Sequence, residues 1–278
     1  MKVVRAEAAG ACYGVQRALN LAFAAAENAC DIKSLGPLIH NPKVVSELAE
    51  RGISAVNSAA EVDSGTVIIR SHGVCPDERQ TLERAGLEIV DATCPFVLRA
   101  QKAGAALAKA YGAVVVVGDA NHPEVEAICA YAREAGGHVW TIDSPESIPQ
   151  NLPDTLGVVV QTTQNRRVFE AILARLGELG IELDVKDTIC EATAQRQHAA
   201  RNLAATVDAM VVIGGHNSSN TTRLYEICLD ICPRTYHIES AEELDPASFD
   251  GCAIVGITAG ASTPENQIVA VESYLERL

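Results

Sequence analysis

Three stretches of this 278-residue chain follow one plan, and each opens on a cysteine. CYGVQRALNLAFAAA runs from Cys12, CPFVLRAQKAGAALAKA from Cys94 and CEATAQRQHAARNLAATV from Cys190, each with apolar residues at helical spacing. A glycine follows each cysteine by 24 residues, at Gly36, Gly118 and Gly214, behind the runs IKSL, VVVV and MVVIG that read as strands. Four residues beyond each glycine stand His40, His122 and Ser218, in GPLIHNP, GDANHPE and GHNSSN. A second apolar run in each stretch leads to another polar group: VIIRSHG to His72, VVVQTTQ to Thr162 and AIVGITAGAS to Ser262. Glycine makes up about 7% of average sequences, so two further matches in register are uncommon by chance. The plan is cysteine, helix, strand, polar loop, helix, strand, polar loop, and it predicts three α/β repeats at 1–93, 94–187 and 188–278.

Composition agrees with an α/β chain, because Ala and Val are abundant while aromatics make up only 4%. Ligands of α/β units bind at the carboxyl ends of parallel strands, so three equivalent units can surround one central site. The bland alternative is a single doubly wound sheet in which GDANHPE and GGHNSSN are ordinary turns. No apolar run approaches the roughly 18 residues of a membrane helix, and the N-terminus lacks the apolar stretch of a secretory signal. A cytoplasmic location is expected. A formal charge of −14 opposes binding to DNA or RNA.

Nine cysteines spread from Cys12 to Cys252 do not resemble a disulfide scaffold, so free thiols or metal ligands are the better reading. Cys12, Cys94 and Cys190 open the repeats; Cys30, Cys75, Cys129, Cys228, Cys232 and Cys252 have no counterparts. Cys228 and Cys232, at i and i+4 of an expected helix, read as one buried face. Three thiolates favour zinc or an iron-sulfur cluster over magnesium or calcium. Spacing leaves those two open: a cluster with three cysteines keeps one iron free for a substrate oxygen, and zinc with three cysteines and a water suits hydrolysis.

The polar loops read as an anion site beside an acid. His40, His72 and His122 lie in short loop motifs, where histidine can donate hydrogen bonds and change charge near neutral pH. HNSSNTTRL (216–224) follows a strand and opens a helix, whose free N–H groups favour anions, and Ser218, Ser219 and Asn220 add side-chain donors. TAGASTPE (258–265) repeats that arrangement, with Gly260 allowing close backbone approach. The alternative for either motif alone is simple helix capping. Glu124, two residues after His122, is the best placed carboxylate; nearby negative charge and burial would raise its pKa and suit it to donate protons.

Taken together, GACYGV, LIHNP, RSHGV, DATCP, NHPEVE, QTTQ, DTIC, NSSN and TAGAS resemble the hydroxymethylbutenyl diphosphate reductase, or LytB, family over nearly the whole chain. Ala11 stands where that family often has an aromatic, and Thr221 where a serine is common. The resemblance implies three pseudo-threefold-related α/β domains with parallel-type sheets around one 4Fe-4S cluster held by Cys12, Cys94 and Cys190. It implies that His40, His72, His122, Thr162, Asn217, Ser218, Ser219, Asn220 and Ser262 line the substrate site. Glu124 would then supply protons with help from Thr162 and His122. The implied reaction is the last step of the methylerythritol phosphate route to isoprenoids, the two-electron, two-proton removal of an allylic hydroxyl from a diphosphate. A ferredoxin or flavodoxin would serve as electron donor. A bacterial enzyme without plastid targeting or appended domains is the simplest expectation.

Two rivals share part of this pattern. A quinolinate synthase-like dehydratase fits threefold architecture and dispersed cysteines but not NSSN and NHPE. A non-enzymatic iron-sulfur sensor needs neither an anion site nor an acid.

Overall fold

The computed structural model describes residues 1–29 and 31–278. The chain opens with β1 (Lys2–Arg5) and α1 (Tyr13–Asn28). There follow β2 (Ile32–Leu35), α2 (Pro42–Glu50), β3 (Ile53–Val56), β4 (Thr66–Ile69), α3 (Pro76–Arg84) and β5 (Glu88–Asp91). The middle of the chain forms α4 (Pro95–Tyr111), β6 (Ala113–Val117), α5 (Pro123–Glu134), β7 (His138–Ile142), β8 (Thr155–Val160), α6 (Arg166–Glu178) and β9 (Glu182–Lys186). The remainder forms α7 (Glu191–Ala204), β10 (Ala209–Ile213), α8 (Ser219–Leu229), β11 (Thr235–Ile238), β12 (Ile254–Ala259) and α9 (Glu265–Leu275).

The strands build three four-stranded sheets, with orders β3-β2-β4-β5, β7-β6-β8-β9 and β11-β10-β12-β1. Every pairing is parallel. All three therefore share one order, second strand, first, third, then an outer fourth. The α/β class with three parallel sheets is as expected, and the single doubly wound sheet is excluded. In the third sheet the fourth strand is β1, paired in register from Lys2 opposite Ile254 to Arg5 opposite Ile257. A division at the cysteines puts residues 2–5 with the first repeat, whereas their hydrogen bonds run to β12. A four-residue edge strand carries too little pattern to name its partner, so this pairing is settled only by long-range contact.

The inner strands β6 (AVVVV) and β10 (AMVVI) are apolar without interruption because helices cover both faces, whereas β2 (IKSL) carries Lys33 and Ser34. Alternate residues of β6 serve the two sides. Val115 and Val117 pack with Phe169, Ile172 and Leu176 of α6, and Val114 and Val116 with Leu107 of α4 and Ile128 of α5. The third sheet repeats this: Val211 and Ile213 meet Ile268 and Val271 of α9, while Met210 and Val212 meet Ala200 of α7 and Leu224 of α8.

Contacts group the chain into two compact bodies. One holds Met1–Val15, His40–Lys43 and Glu191–Leu278, and the other Gln16–Ile39 and Val44–Cys190. No helix among the described residues is long and apolar enough to cross a membrane.

Candidate active site

Each repeat-opening cysteine immediately precedes a helix, α1, α4 or α7. Its amide is pinned in the same way each time. Cys94 N–H donates to Ser71 O at 2.9 Å, Cys190 N–H to Thr162 O at 3.1 Å and Cys12 N–H to Ala261 O at 3.1 Å. Each acceptor lies two residues past the end of the third strand of its sheet, β4, β8 or β12. The repeat is thus matched at single hydrogen bonds, and each cysteine is tied to a loop that bears His72, Thr162 or Ser262. All three are half-buried thiols outside any disulfide.

The other cysteines differ. Cys129, Cys228 and Cys232 are buried, the last two together in one core cluster. Burial pushes the Cys75 thiol up to about 11 and that of Cys228 to about 12, which opposes the thiolate form a metal needs. The expected pairing of Cys228 and Cys232 on one helix is modified, because α8 ends at Leu229 and Cys232 N–H reaches back to Cys228 O at 2.7 Å. Cys30 lies outside the described residues.

In the body that contains Cys94 and Cys190, His122 caps α5, with Nδ1 accepting the Glu124 amide at 3.1 Å. That turn directs Glu124 inward, where only 2% of it is exposed. Its carboxyl accepts from Thr162 N–H at 2.7 Å and from the Thr162 hydroxyl at 2.8 Å. Burial pushes the carboxyl up to about 7, against the two Thr162 bonds that pull it down. Within the protein, desolvation drives the rise, as expected from sequence. The His72 ring stands edge-on to that of His122, centroids 5.4 Å apart. The turn that carries His72 closes through Gly73 N–H to Arg70 O at 3.0 Å, with Gly73 at φ +74°.

The body that contains Cys12 holds the loops 216–224 and 258–265 that sequence reads as an anion site. Ser218 caps α8, accepting from Thr221 N–H at 3.4 Å, so the simple capping role is real for this residue. It does not account for Asn220, which is 6% exposed and whose amide oxygen and nitrogen both lack a hydrogen-bond partner among the described residues. A buried amide in this state at a helix N-terminus keeps both a donor and an acceptor available to a polar ligand. Ser219 is half-buried beside it and Asn217 is exposed. The Ser262 hydroxyl donates to His40 O at 3.0 Å, and Asn41 Nδ2 donates to Ser262 O at 2.9 Å, which fixes His40 and Ser262 side by side. Gly260 does permit close approach, though to Thr221, whose Oγ1 an added Cβ would strike.

Of the sequence-derived residues, Glu124, Thr162, His122 and His72 thus lie in one body, and Ser218, Ser219, Asn220, His40 and Ser262 in the other. From sequence alone, the guanidinium groups of Arg17 and Arg196 pass unnoticed. The one available signal is a charged residue on a helix face that otherwise reads apolar.

Comparison with known proteins adds an independent line. The family model described as LytB protein matches residues 3–276. The chain is 48% identical to the 4-hydroxy-3-methylbut-2-enyl diphosphate reductase of Geotalea uraniireducens, covering 100% of this chain and 98% of that protein. It is 49% identical to the enzyme of the same name from Geotalea daltonii, with the same coverage. Among solved structures it is similar to (E)-4-hydroxy-3-methyl-but-2-enyl diphosphate reductase, the terminal enzyme of the non-mevalonate pathway, at 41% identity and TM-score 0.72 over 100% of both chains. The fold is also that of the E-1-hydroxy-2-methyl-but-2-enyl-4-diphosphate reductase from Plasmodium falciparum, with TM-score 0.88 at 23% identity over 100% of this chain and 87% of that one.

Proposed function

This chain belongs to the LytB family, and on that premise we propose that it reductively dehydroxylates 4-hydroxy-3-methylbut-2-enyl diphosphate to isopentenyl and dimethylallyl diphosphates. The observation that carries the reading is the position of Thr162. Its N–H and hydroxyl hold the buried Glu124 carboxyl, and its carbonyl accepts the amide of Cys190. One residue therefore links a carboxyl with a pKa near neutrality to a candidate metal ligand.

Cys12, Cys94 and Cys190 would hold one 4Fe-4S cluster. Their donor chemistry fits it: three half-buried thiols, none in a disulfide, at equivalent backbone positions. Such a cluster, when bound, supplies two electrons one at a time and a Lewis-acidic iron. The remaining work falls to the protein. Ser218, Ser219, Asn220, His40, His72 and Ser262, with Asn217, fix the diphosphate and so orient the allylic end. With a pKa of about 7, Glu124 is about half protonated at neutral pH, which suits a group that must give up a proton and recover it. Glu124 protonates the departing hydroxyl, the allylic C–O bond breaks and water leaves. Two electrons enter the allyl unit, and a second proton adds to carbon to complete either product. His122 orients the first turn of α5 and hence the carboxyl, and Thr162 keeps it aimed.

A ferredoxin or flavodoxin serves as electron donor in this reading, and the cytoplasm is the compartment in which such a donor and substrate meet. A sensor has no use for an acid buried in this way. The test is anaerobic: the brown, reconstituted protein supplied with the allylic diphosphate and a strong reductant should release both products. Active protein that is colourless and holds zinc would overturn the proposal.

A further inference from the structure

Two arginines hold the backbone that leads into two of the cysteines, one inside each compact body. Arg17, on α1, donates from Nη1 to Thr93 O at 3.1 Å and from Nη2 to Asp91 O at 3.3 Å, one and three residues before Cys94. Arg196, on α7 and only 7% exposed, donates from Nε at 3.1 Å and from Nη2 at 2.5 Å to Gly10 O, two residues before Cys12. Its Nη1 donates to Ala192 O at 2.8 Å, two residues after Cys190. Gly10 is shaped for this contact. Its φ is +91°, and a Cβ there would come within 2.8 Å of Ile268 Cδ1.

The acceptors of Arg17 are carbonyls rather than carboxylates, so these bonds fix its guanidinium without neutralising it. The acid whose carbonyl Arg17 binds has its carboxylate engaged elsewhere: Asp91 accepts from Arg79 Nη1 at 2.7 Å and from the Thr93 amide at 3.0 Å. Arg17 itself makes no ion pair among the described residues. The approach to Cys190 is built differently, with the Thr188 hydroxyl bonded to Val160 O and Ile189 N–H to Asp187 at 3.2 Å.

We propose that Arg17 and Arg196 are positioning residues for the cluster. They clamp the loops entering Cys94 and Cys12 and place fixed positive charge there that favours the reduced state. This inference rests on the ligand set proposed above. Two residues of backbone span at most about 7 Å, which brings each guanidinium within about 10 Å of a ligand's backbone. A unit charge at that distance, at an effective dielectric near 20, is worth on the order of tenfold in a one-electron equilibrium.

The test compares R17Q, R196Q, R17K and R196K, purified anaerobically and reconstituted with iron and sulfide, by iron content and by redox titration followed by electron paramagnetic resonance. Each Gln variant should hold iron but be about tenfold harder to reduce, a fall of about 59 mV for one electron. Each Lys variant, which keeps the charge, should recover most of that. Iron lost from a folded R196Q chain and regained in R196K also supports the role. Should R196Q fail to fold, judged by circular dichroism of the metal-free chain, the half-buried Arg17 carries the test through R17Q. Full iron with an unchanged potential in the Gln variants overturns the inference, as does an equal fall in the Gln and Lys variants. C12S and C94S separate the two levels. Full iron in those variants overturns the ligand set itself, whatever the arginine variants do.

Discussion

Replacing Glu124 by glutamine should make the metal-free chain more stable and the enzyme slower, a pair of effects that only a buried, functional carboxyl produces together. Burial raises the carboxyl from an ordinary 4.5 to about 7 in the folded chain. At about 1.4 kcal/mol for each pH unit, ionising it in place costs roughly 3 kcal/mol. The folded value is the higher one, so the folded state binds the proton more tightly. The associated stability is complete below about pH 4.5 and is lost as pH rises through about 7. Glutamine carries no charge and keeps an oxygen to accept the Thr162 amide, so it escapes this loss. Melting of the two metal-free proteins should therefore coincide near pH 4.5 and diverge by on the order of 5–10 °C in favour of E124Q by pH 8. Turnover of the reconstituted variant should fall by about 10² to 10⁴, the usual scale for losing an acid catalyst. A melting difference that is flat with pH, or E124Q less stable at pH 8, would refute burial as the source of the raised pKa. Unchanged turnover would refute the acid role.

Three further outcomes follow from the same geometry. T162V removes one of the two bonds that lower the Glu124 pKa, so the alkaline limb of the pH–rate profile should move up by about one unit; a limb that does not move would separate Thr162 from the carboxyl's titration. N220A deletes a buried amide without partners among the described residues, so KM for the diphosphate should rise about tenfold while the ligand-free melting temperature holds or increases; a fall in melting temperature with KM unchanged would make Asn220 structural. C129S and C228S should retain full iron after reconstitution and melt lower, because both thiols belong to the core; iron loss from either folded protein would extend the ligand set beyond the three repeat-opening cysteines.

The repeat was legible in sequence because its parts are local. Cys94, the helix behind it, the VVVV strand and Gly118 lie within 25 residues, and each reports its own periodicity or turn chemistry. What remained hidden depends on partners far along the chain. Nothing near Glu124 distinguishes it from the exposed glutamates that favour helix N-termini; it is buried because Thr162, 38 residues away, folds over it. Arg17 and Arg196 reach carbonyls 76 and 186 residues distant, so neither contact leaves a mark in a window of helical length. The same holds for β1, four residues long, whose partner β12 begins at Ile254.

That division explains how three similar repeats support three different tasks. The position two residues past the third strand is Ser71, Thr162 or Ala261, and its carbonyl does the same thing each time, accepting the amide of a cysteine. A backbone acceptor needs no particular side chain, so the repeat can keep the cysteines in equivalent places while the side chains at that position change. Ser71 turns its hydroxyl to Leu38 O at 3.0 Å and packs away. Thr162 turns its hydroxyl to Glu124, and Ala261 leaves the polar role to Ser262, the next residue, which binds His40 O. Substitutions at Ser71 and Ala261 that keep the backbone path should therefore leave cysteine placement intact, whereas Thr162 carries both the backbone task and the acid's positioning. Of the three, only Thr162 should couple a side-chain change to the pH dependence of turnover.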